Sequence, residues 1–158
     1  MSWFWGATQD ANFYWDPNQG GTIVRGHKWV KTSSKFHLFP EGQYRVRLTF
    51  KVLEAPNNNG HTFYAGVDSY DFSGNRISVD TCTSYNYGLM SGERVAVGDT
   101  GTYEAVFSGF NDPGSCASKT RFDPGAAYFR VALGFFYSSG EPDTHVALIT
   151  RFEVKAID

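Results

Sequence analysis

The chain lacks an excess of charge of either sign. Its 158 residues carry 14 Lys plus Arg and 16 Asp plus Glu, which gives a formal net charge of −2. A protein that binds nucleic acid normally shows a basic field, so this balance argues against a nucleic-acid partner. A run of about 18 apolar residues is also missing, and the sequence therefore predicts no transmembrane helix and no membrane partner.

Cysteines and the signatures of common catalytic and metal sites are scarce. Cys82 and Cys116 lie in polar segments typical of loops, and their spacing leaves open whether they form a disulfide or stay free. No C-x-x-C pair, G-x-S-x-G elbow or glycine-rich phosphate loop is present, and the histidines are scattered. We therefore expect a protein that is not an enzyme.

The N-terminus, MSWFWGATQDANFYW, lacks the basic start and the continuous apolar core of a signal peptide. We expect either the true start of a cytoplasmically made chain or an excised domain behind an added Met, and the sequence leaves both open. The chain is long enough to bury one core, and no linker divides it. Residues 1–158 are therefore predicted to form a single domain.

Strand patterns recur along the chain, whereas a sustained helical period of apolar residues is absent. Between residues 43 and 52, apolar side chains alternate strictly with polar ones, which is typical of a half-buried β-strand. Further strands are predicted at residues 22–24, 29–31, 35–39, 61–70, 76–80, 101–110, 127–137 and 144–157, and residues 81–100 are predicted to be rich in loops. These short strands predict an all-β fold, a single antiparallel β-sandwich whose last strand is central in its sheet.

Two turn motifs and the last strand carry a resemblance to a known family. Residues 39–44 read Phe-Pro-Glu-Gly-Gln-Tyr before a strand, and residues 66–75 contain the pattern G-V-x-x-x-D-x-x-G-N. With the closing strand at residues 149–158, these motifs resemble the galactose-binding-like jelly-roll carbohydrate-binding modules over residues 34–158. The resemblance implies a jelly-roll fold and glycan binding, as in polysaccharide-degrading enzymes and in bacteriophage tail or capsid-surface proteins.

The opening signature of that family, an Asn-Gly…Phe-Glu-x-Gly…Trp pattern, is absent or heavily altered in residues 1–21. The structural calcium site of the family often draws on this region, so we expect no cofactor, with a structural calcium ion as the alternative. Asp10 or Asp16 together with a late carboxylate such as Glu153 would be the ligands of that ion. Surface carboxylates are the simpler interpretation, because calcium needs six to eight oxygen ligands.

The predicted strands place polar and aromatic side chains opposite those that face the core. The predicted glycan-binding residues are Trp29, Arg45, Arg47, Tyr64, Asp68, Tyr128 and Arg130. If the strands share one sheet, the last six of these form a single polar and aromatic surface, and Trp29 with the loop residues Tyr85 and Tyr87 offers further rings. The alternative is a solvated outer face on which Arg, Asp and Tyr pair across strands.

A glycosidase would need two carboxylates at a separation of about 5–9 Å. Asp68, Asp71 and Glu104 are the available candidates, but no sequence feature fixes such a pair. Asp71 belongs to a predicted turn, where an Asp side chain is expected to bond the backbone.

The N-terminal segment, residues 1–21, is rich in aromatic residues and is too apolar to be left in water. It either forms an extra strand over the sandwich or docks on a partner, since an exposed apolar patch of this size usually marks an interface. In the second case Trp3, Trp5 and Trp15 are the predicted interface residues.

These patterns and the resemblance together predict a non-catalytic carbohydrate-binding module that recognises a polysaccharide or a cell-surface glycan. The resemblance further implies that the module is part of a phage virion. The alternative is a structural virion protein, a capsid decoration or tail component, that uses the jelly roll for protein–protein contacts. The predicted partners are a glycan and either virion proteins or further copies of the chain. The predicted location is the virion, after synthesis in the host cytoplasm, or an extracellular assembly.

Overall fold

A computed structural model describes residues 13–55, 61–77, 86–115, 118–137 and 144–157, together with the backbone of residues 4–5. In chain order, its strands are β1 (Phe4–Trp5), β2 (Phe13–Asp16), β3 (Gly21–Arg25), β4 (Lys28–Thr32), β5 (Phe36–His37), β6 (Gln43–Glu54), β7 (His61–Tyr70), β8 (Asn86–Val95), β9 (Thr100–Ser108), β10 (Tyr128–Phe135) and β11 (Val146–Ile157). Within these residues, no helix is long and apolar enough to cross a membrane.

The strands form two antiparallel sheets. Sheet A has the order β1-β4-β10-β7-β8, with β5 paired to β10, and sheet B has the order β2-β3-β11-β6-β9. Strand β11 lies at the centre of sheet B, as predicted for the last strand, between β3 and β6. The predicted all-β antiparallel sandwich is therefore confirmed.

The core lies between the inner faces of the two sheets and is filled by aromatic rings. Phe50 of β6 contacts Phe63 of β7 and Phe135 of β10, with ring centroids 4.8 and 5.4 Å apart. All three side chains are almost fully buried. Truncation of a ring of this kind to Ala typically costs about 3–5 kcal/mol, so these contacts hold the two sheets together.

The N-terminal segment adds strands to the sandwich where the structure describes it. Strand β1 pairs with β4 in sheet A, and β2 pairs with β3 in sheet B. Phe13 is fully buried in the core, and Tyr14 packs on the outer side of sheet B against Ile23, Val146 and Leu148. Of the two alternatives for the N-terminal segment, the described residues therefore form extra strands of the sandwich.

Strands β6 and β7 follow each other in sequence but belong to opposite sheets. The expectation that their outer faces form one surface is therefore wrong. The physical reason is that an alternating pattern reports which side of a strand is buried and not which sheet the strand joins. In a sandwich, both sheets present buried inner faces and solvent-facing outer faces.

The prediction of a loop-rich region at residues 81–100 is wrong for residues 86–95, which form β8. Its pairing with β7 shifts register between Phe63 and Tyr64 and again between Ala65 and Val67. Each shift interrupts the apolar alternation, so the strand lacks the regular period that identifies a strand in sequence.

A strand was also predicted at residues 76–80. Arg76 forms an isolated bridge with Tyr70, and residues 78–80 lie outside the described part.

Candidate functional site

The outer face of sheet A carries four rows of side chains that cross its central strands. Phe129, Val131 and Leu133 of β10 point into the core, so the residues between them point outward. Three of the rows are Trp29–Gly134–Tyr64, Lys31–Ala132–Gly66 and His37–Tyr128–Tyr70. The fourth row, between the last two, pairs Arg130 with Asp68.

Four aromatic rings meet at one end of this face and form the aromatic cluster, Trp29, Tyr64, Tyr87 and Tyr137. The rings of Trp29 and Tyr64 are stacked with centroids 6.5 Å apart, and the ring of Tyr87 lies 5.1 Å from that of Tyr64. The Tyr137 ring stands edge-on to both Trp29 and Tyr64, at 5.4 and 5.1 Å. Tyr137 is 45% exposed, so the cluster is open to solvent on that side.

Two glycines allow these rings to approach the sheet. A Cβ atom added at Gly134 would lie 2.8–2.9 Å from three atoms of the Trp29 ring, so the ring rests directly on the backbone of β10. A Cβ atom at Gly66 would collide with the backbone carbonyl of Asn86. The close approach of β8 at that point carries the neighbouring residue, Tyr87, onto the outer face.

An unusual backbone conformation brings Tyr137 to the aromatic cluster. Phe136 has a φ of 50°, which is the left-handed region that a bulky residue rarely adopts. Its ring is fully buried, as is that of the preceding Phe135. Two successive core side chains break the alternation of β10, and Tyr137 consequently returns to the outer face, where its amide donates to the carbonyl of Thr62 at 2.8 Å.

The other half of the face holds the charged cluster, Lys31, Asp68, Tyr70, Arg76 and Arg130. The Asp68 carboxylate accepts from Lys31 Nζ at 2.7 Å, from Arg76 Nε at 2.7 Å and from the Tyr70 hydroxyl at 2.9 Å. The guanidinium of Arg130 lies 5.5 Å from the centroid of the Tyr70 ring. A buried carboxylate is stable only when it is paired and hydrogen-bonded, and this arrangement provides both.

The electrostatics of the charged cluster keep Tyr70 protonated. Burial raises the pKa of the Tyr70 hydroxyl above its ordinary value of 10.0, and the Asp68 carboxylate adds to the rise against an opposing effect of Lys31. At neutral pH, Tyr70 is therefore a hydrogen-bond donor to Asp68. A hydroxyl held in this state supports the carboxylate and is poorly suited to act as a base.

Five of the seven predicted glycan-binding residues meet on the outer face of sheet A. These are Trp29, Tyr64, Asp68, Tyr128 and Arg130. Tyr128 lies at the end away from the aromatic cluster, with its ring 5.4 Å from that of His37. Asp68 differs from the expectation in one respect: its side chain is fully buried and is covered by its partners.

The prediction that Arg45 and Arg47 share this face is wrong, because both residues lie on the opposite side of the molecule. Both belong to β6, which pairs with β9 and β11 in sheet B. Arg45 is 3.5 Å from the Glu153 carboxylate, and Arg47 pairs with Glu104 and more distantly with Glu153. Here the structure follows the alternative of a solvated face with ion pairs across strands.

Glu104 is likewise separated from the other carboxylates that a glycosidase would need. It belongs to β9 of sheet B, whereas Asp68 lies on sheet A. Asp71 forms the predicted turn, in which its carboxylate accepts from the amide of Asn75 at 2.8 Å. Asp68 and Glu104 therefore cannot flank one glycosidic bond.

Five members of the two clusters were not among the predicted glycan-binding residues: Lys31, Tyr70, Arg76, Tyr87 and Tyr137. Tyr87 was considered as a loop residue, and Lys31 could have been found from its spacing of two from Trp29 on a short strand. Arg76 comes from the turn that follows β7, and no local pattern indicates that it bonds Asp68. Tyr137 was missed because the reversal at Phe136 has no signature in the sequence.

The remaining predictions concern the N-terminal segment, calcium and the cysteines. Trp15 of β2 is 38% exposed. Trp3 and the side chain of Trp5 lie outside the described residues, as do Asp10 and both cysteines. Asp16 accepts from the amide of Asn18 in a turn, and Glu153 faces arginines. In the described part, no three His, Cys, Asp or Glu side chains come together to hold a metal ion; the interface and calcium hypotheses stay predictions.

Comparison with known proteins identifies the fold as a jelly-roll β-sandwich. Alginate lyase A1-II′, a member of polysaccharide lyase family 7, superposes with a TM-score of 0.57 and 14% identity over 96% of this chain and 86% of that chain. Alginate lyase AlyC3 gives a TM-score of 0.51 and 11% identity over 94% and 80%. The jelly-roll expectation is thereby confirmed.

A further similar structure contains the CBM22-1 and GH10 modules of xylanase 10B from Clostridium thermocellum, complexed with xylohexaose. Its TM-score is 0.50 and its identity is 12%, with 87% of this chain covered. This chain spans 22% of that protein's length. No family model matches the sequence, and no curated protein matches it. At these identities the similarity establishes the shared fold.

Proposed function

We propose that this protein binds a polysaccharide or surface glycan on the outer face of sheet A and does not cleave it. The observation that carries this proposal is the position of the aromatic cluster beside the charged cluster on the outer face of sheet A, where the row of Trp29 and Tyr64 is next to the row of Lys31. Sites for organic ligands typically combine aromatic surface with a few placed polar groups. A sugar ring offers an apolar face to the former and hydroxyl groups to the latter.

Proteins that share the fold also support the proposal. One similar structure contains a CBM22 module with bound xylohexaose, and others are alginate lyases. The fold thus occurs in proteins that act on polysaccharides, although the same fold can carry unrelated functions. For this chain, the proposal rests on its own rings and charges.

The absence of cleavage is proposed because the carboxylates of the site are committed to other bonds. Asp68 is fully buried and accepts from two cations and a hydroxyl, so it is not presented to a ligand. Asp71 bonds the backbone of its own turn, and Glu104 lies on the opposite sheet. A general acid or base must come within hydrogen-bond reach of the reacting group.

Affinity gel electrophoresis with a panel of soluble polysaccharides, including xylan, alginate, dextran and polygalacturonate, tests the proposal. At least one polymer should retard the wild-type protein, and Tyr137→Ala and Trp29→Ala should each weaken that binding roughly tenfold, as expected for the loss of one ring contact and its buried surface. Trp15→Ala is the matched control, because it removes a partly exposed ring from sheet B.

Absence of retardation by every polymer would count against the proposal, and so would equal losses in Trp15→Ala and Tyr137→Ala. Release of shorter or unsaturated products from a retained polymer would show that the protein is an enzyme. Binding by one module is typically weak and is strengthened when several copies act together. Immobilised polymer at high density should therefore be included.

The virion setting is proposed together with an alternative in which the sandwich contacts proteins. Large apolar side chains that are open to solvent favour the alternative: Phe72 is 83% exposed and Phe39 is 61% exposed. If they form a protein contact, the double variant Phe39→Ser/Phe72→Ser should stay folded but lose co-sedimentation with purified particles. Retained co-sedimentation would contradict this alternative.

A further inference from the structure

Strand β9 is an edge strand of sheet B and carries backbone groups that face away from its neighbour. It pairs with β6 on one side. Successive residues of an antiparallel ladder direct their N–H and C=O groups alternately toward the partner strand and away from it. The Ser108 amide at the end of β9 donates to the carbonyl of Thr120 at 3.1 Å, so Ser108 faces away from β6. By the same alternation, four exposed residues face away as well: Thr100, Thr102, Glu104 and Val106.

Two further observations support this assignment of the outward residues. Strands β6 and β9 pair without a register shift from Gln43 to Lys51, so the alternation is unbroken. At the other end of β9, the carbonyl of Asp99 accepts from the amide of Val52 at 3.2 Å, so Asp99 faces β6 and Thr100 faces away. The outward residues thus present four amide and four carbonyl groups, and no residue of the described part of the chain bonds them.

This edge lacks the features that usually protect an exposed strand, which are proline, lysine, a bulge or a very short length. Residues 100–106 contain neither proline nor lysine, and their ladder has no bulge. The single charged side chain, Glu104, pairs with Arg47 of β6. By contrast, β8 at the edge of sheet A carries Glu93, Arg94 and two register shifts, and the edge strands β1 and β2 have only two and four residues. Of these edges, β9 is therefore the best suited to accept another strand.

A second copy of β9 is complementary to this edge. In a symmetric antiparallel pair centred on Tyr103, Thr100 of each copy lies opposite Val106 of the other, and Thr102 lies opposite Glu104. All four outward residues then lie in hydrogen-bonded pairs, so each of their amide and carbonyl groups gains a partner. Val106, which is 38% exposed, packs beside Thr100 of the second copy, and no like charges face each other.

The neighbouring registers fit less well. A pair centred on Thr102 leaves the outward groups of Val106 without a partner strand residue that faces them. A pair centred on Glu104 places this carboxylate opposite its own copy, which is unfavourable. It also brings Thr100 to Ser108, whose amide already bonds Thr120.

From these observations we infer that two copies of the chain pair through β9, antiparallel and centred on Tyr103, and join their five-stranded sheets B into one continuous sheet. The contact is isologous, as in most symmetric dimers. Opposite residues of an antiparallel pair point to the same face, so the two sheets A lie on one side of the joined sheet. Their outer faces then point the same way, and one extended surface can bind both copies at once. The inference itself does not depend on the proposed function.

Sedimentation equilibrium of the full chain tests the association. The contact is small, so the average mass should rise from one copy toward two between about 10 µM and 1 mM protein, and no further. Amide exchange followed by NMR gives a residue-specific measurement. The amides of the four outward residues should exchange more slowly as the protein concentration rises, because they become hydrogen-bonded.

The variants Thr102→Pro and Thr102→Ala form a matched pair. Both lose the contact of the Thr102 hydroxyl with Thr49 at 3.2 Å. Proline in addition removes an amide that faces away from β6, so it leaves the ladder of sheet B intact but blocks a second strand. Thr102→Pro should weaken the dimer roughly tenfold or more, whereas Thr102→Ala should retain it. Circular dichroism verifies that both variants are folded.

The variant Thr102→Lys tests the register and does not rely on proline. With Tyr103 at the centre, each new lysine faces Glu104 of the other copy, so the dimer should become roughly two- to thirtyfold tighter at low salt. With Thr102 at the centre, the two lysines would face each other and weaken it.

Three results would overturn the inference. The first is a single-copy mass at every concentration. The second is equal association of Thr102→Pro and Thr102→Ala, which would place the contact on another surface or in the side chain. The third is weaker association of Thr102→Lys, which would contradict the register centred on Tyr103.

Discussion

Tyr44 ties the turn before β6 to the strand through its hydroxyl group. This hydroxyl accepts from the amide of Phe39 at 2.8 Å and donates to the carbonyl of His37 at 3.1 Å. Gly42 lies directly under the ring, where a Cβ atom would be 2.6 Å from the hydroxyl oxygen. The turn motif at residues 39–44 is thus a physical unit, in which the glycine leaves room for the tyrosine that bonds the turn.

Tyr44→Phe should lower the free energy of unfolding by about 1–3 kcal/mol, because the Phe39 amide and His37 carbonyl lose a partner in a partly buried place. Urea unfolding followed by fluorescence measures the change. Tyr103→Phe is the control, since Tyr103 stacks on Phe50 but its hydroxyl bonds no residue in the described part of the chain. Equal losses in the two variants would show that the hydroxyl of Tyr44 does not stabilise the turn.

At the scale of a strand, the end of β10 depends on Phe136. The left-handed conformation costs an L-residue roughly 1–2 kcal/mol, whereas glycine adopts it freely. The cost is offset by burial of the ring against Phe63 and His145, at centroid distances of 5.2 and 5.4 Å. The same conformation delivers Tyr137 to the aromatic cluster, so a strained position lies beside the candidate site, as is common at functional sites.

This assignment predicts an unusual order of stability at residue 136. Phe136→Gly and Phe136→Ala both lose the ring, but Phe136→Gly should be about 1 kcal/mol more stable because it removes the left-handed strain. At Leu133, a buried position within the same strand, Leu133→Gly should instead be about 0.5–1 kcal/mol less stable than Leu133→Ala. Urea unfolding of the four variants provides the comparison. The same order at both positions would contradict the strain assigned to Phe136.

The strands whose faces were predicted correctly are those with an unbroken alternation. In β6 and β10 the alternation identified the core-facing residues and, with them, the outward positions of Tyr128 and Arg130. Assignment of β6 and β7 to opposite sheets depends on contacts between distant residues, and no local pattern encodes it. Strand β8 was not predicted because its bulges shift the register. The outward position of Tyr137 was not predicted because the left-handed conformation of Phe136 reverses the alternation.

At the scale of the whole molecule, the outer faces of sheet A and sheet B differ in whether their ion-paired carboxylates are accessible to water. On sheet B, burial alone would raise the pKa of the Glu153 carboxyl, but Arg151, Arg47 and Arg45 together hold it below its ordinary value of 4.5. These groups remain accessible to water, and ion pairs of this kind contribute little stability. On sheet A, the Asp68 carboxylate is removed from water and depends on its partners.

The same substitution on the two faces should therefore have unequal effects on stability. Arg76→Gln leaves the buried Asp68 with one charged partner fewer and should lower the free energy of unfolding by about 1–3 kcal/mol, as for a buried charged group that loses a hydrogen bond. Arg47→Gln on sheet B should change it by less than about 1 kcal/mol. Chemical denaturation at low and high salt measures both, and only the Arg47→Gln effect should vanish at high salt, because exposed pairs are screened more than buried ones. Addition of Asp68→Asn to Arg76→Gln should recover part of the loss, since the buried charge that lacks its partner is then removed; no recovery would mean that Arg76 stabilises the fold through packing and not through Asp68.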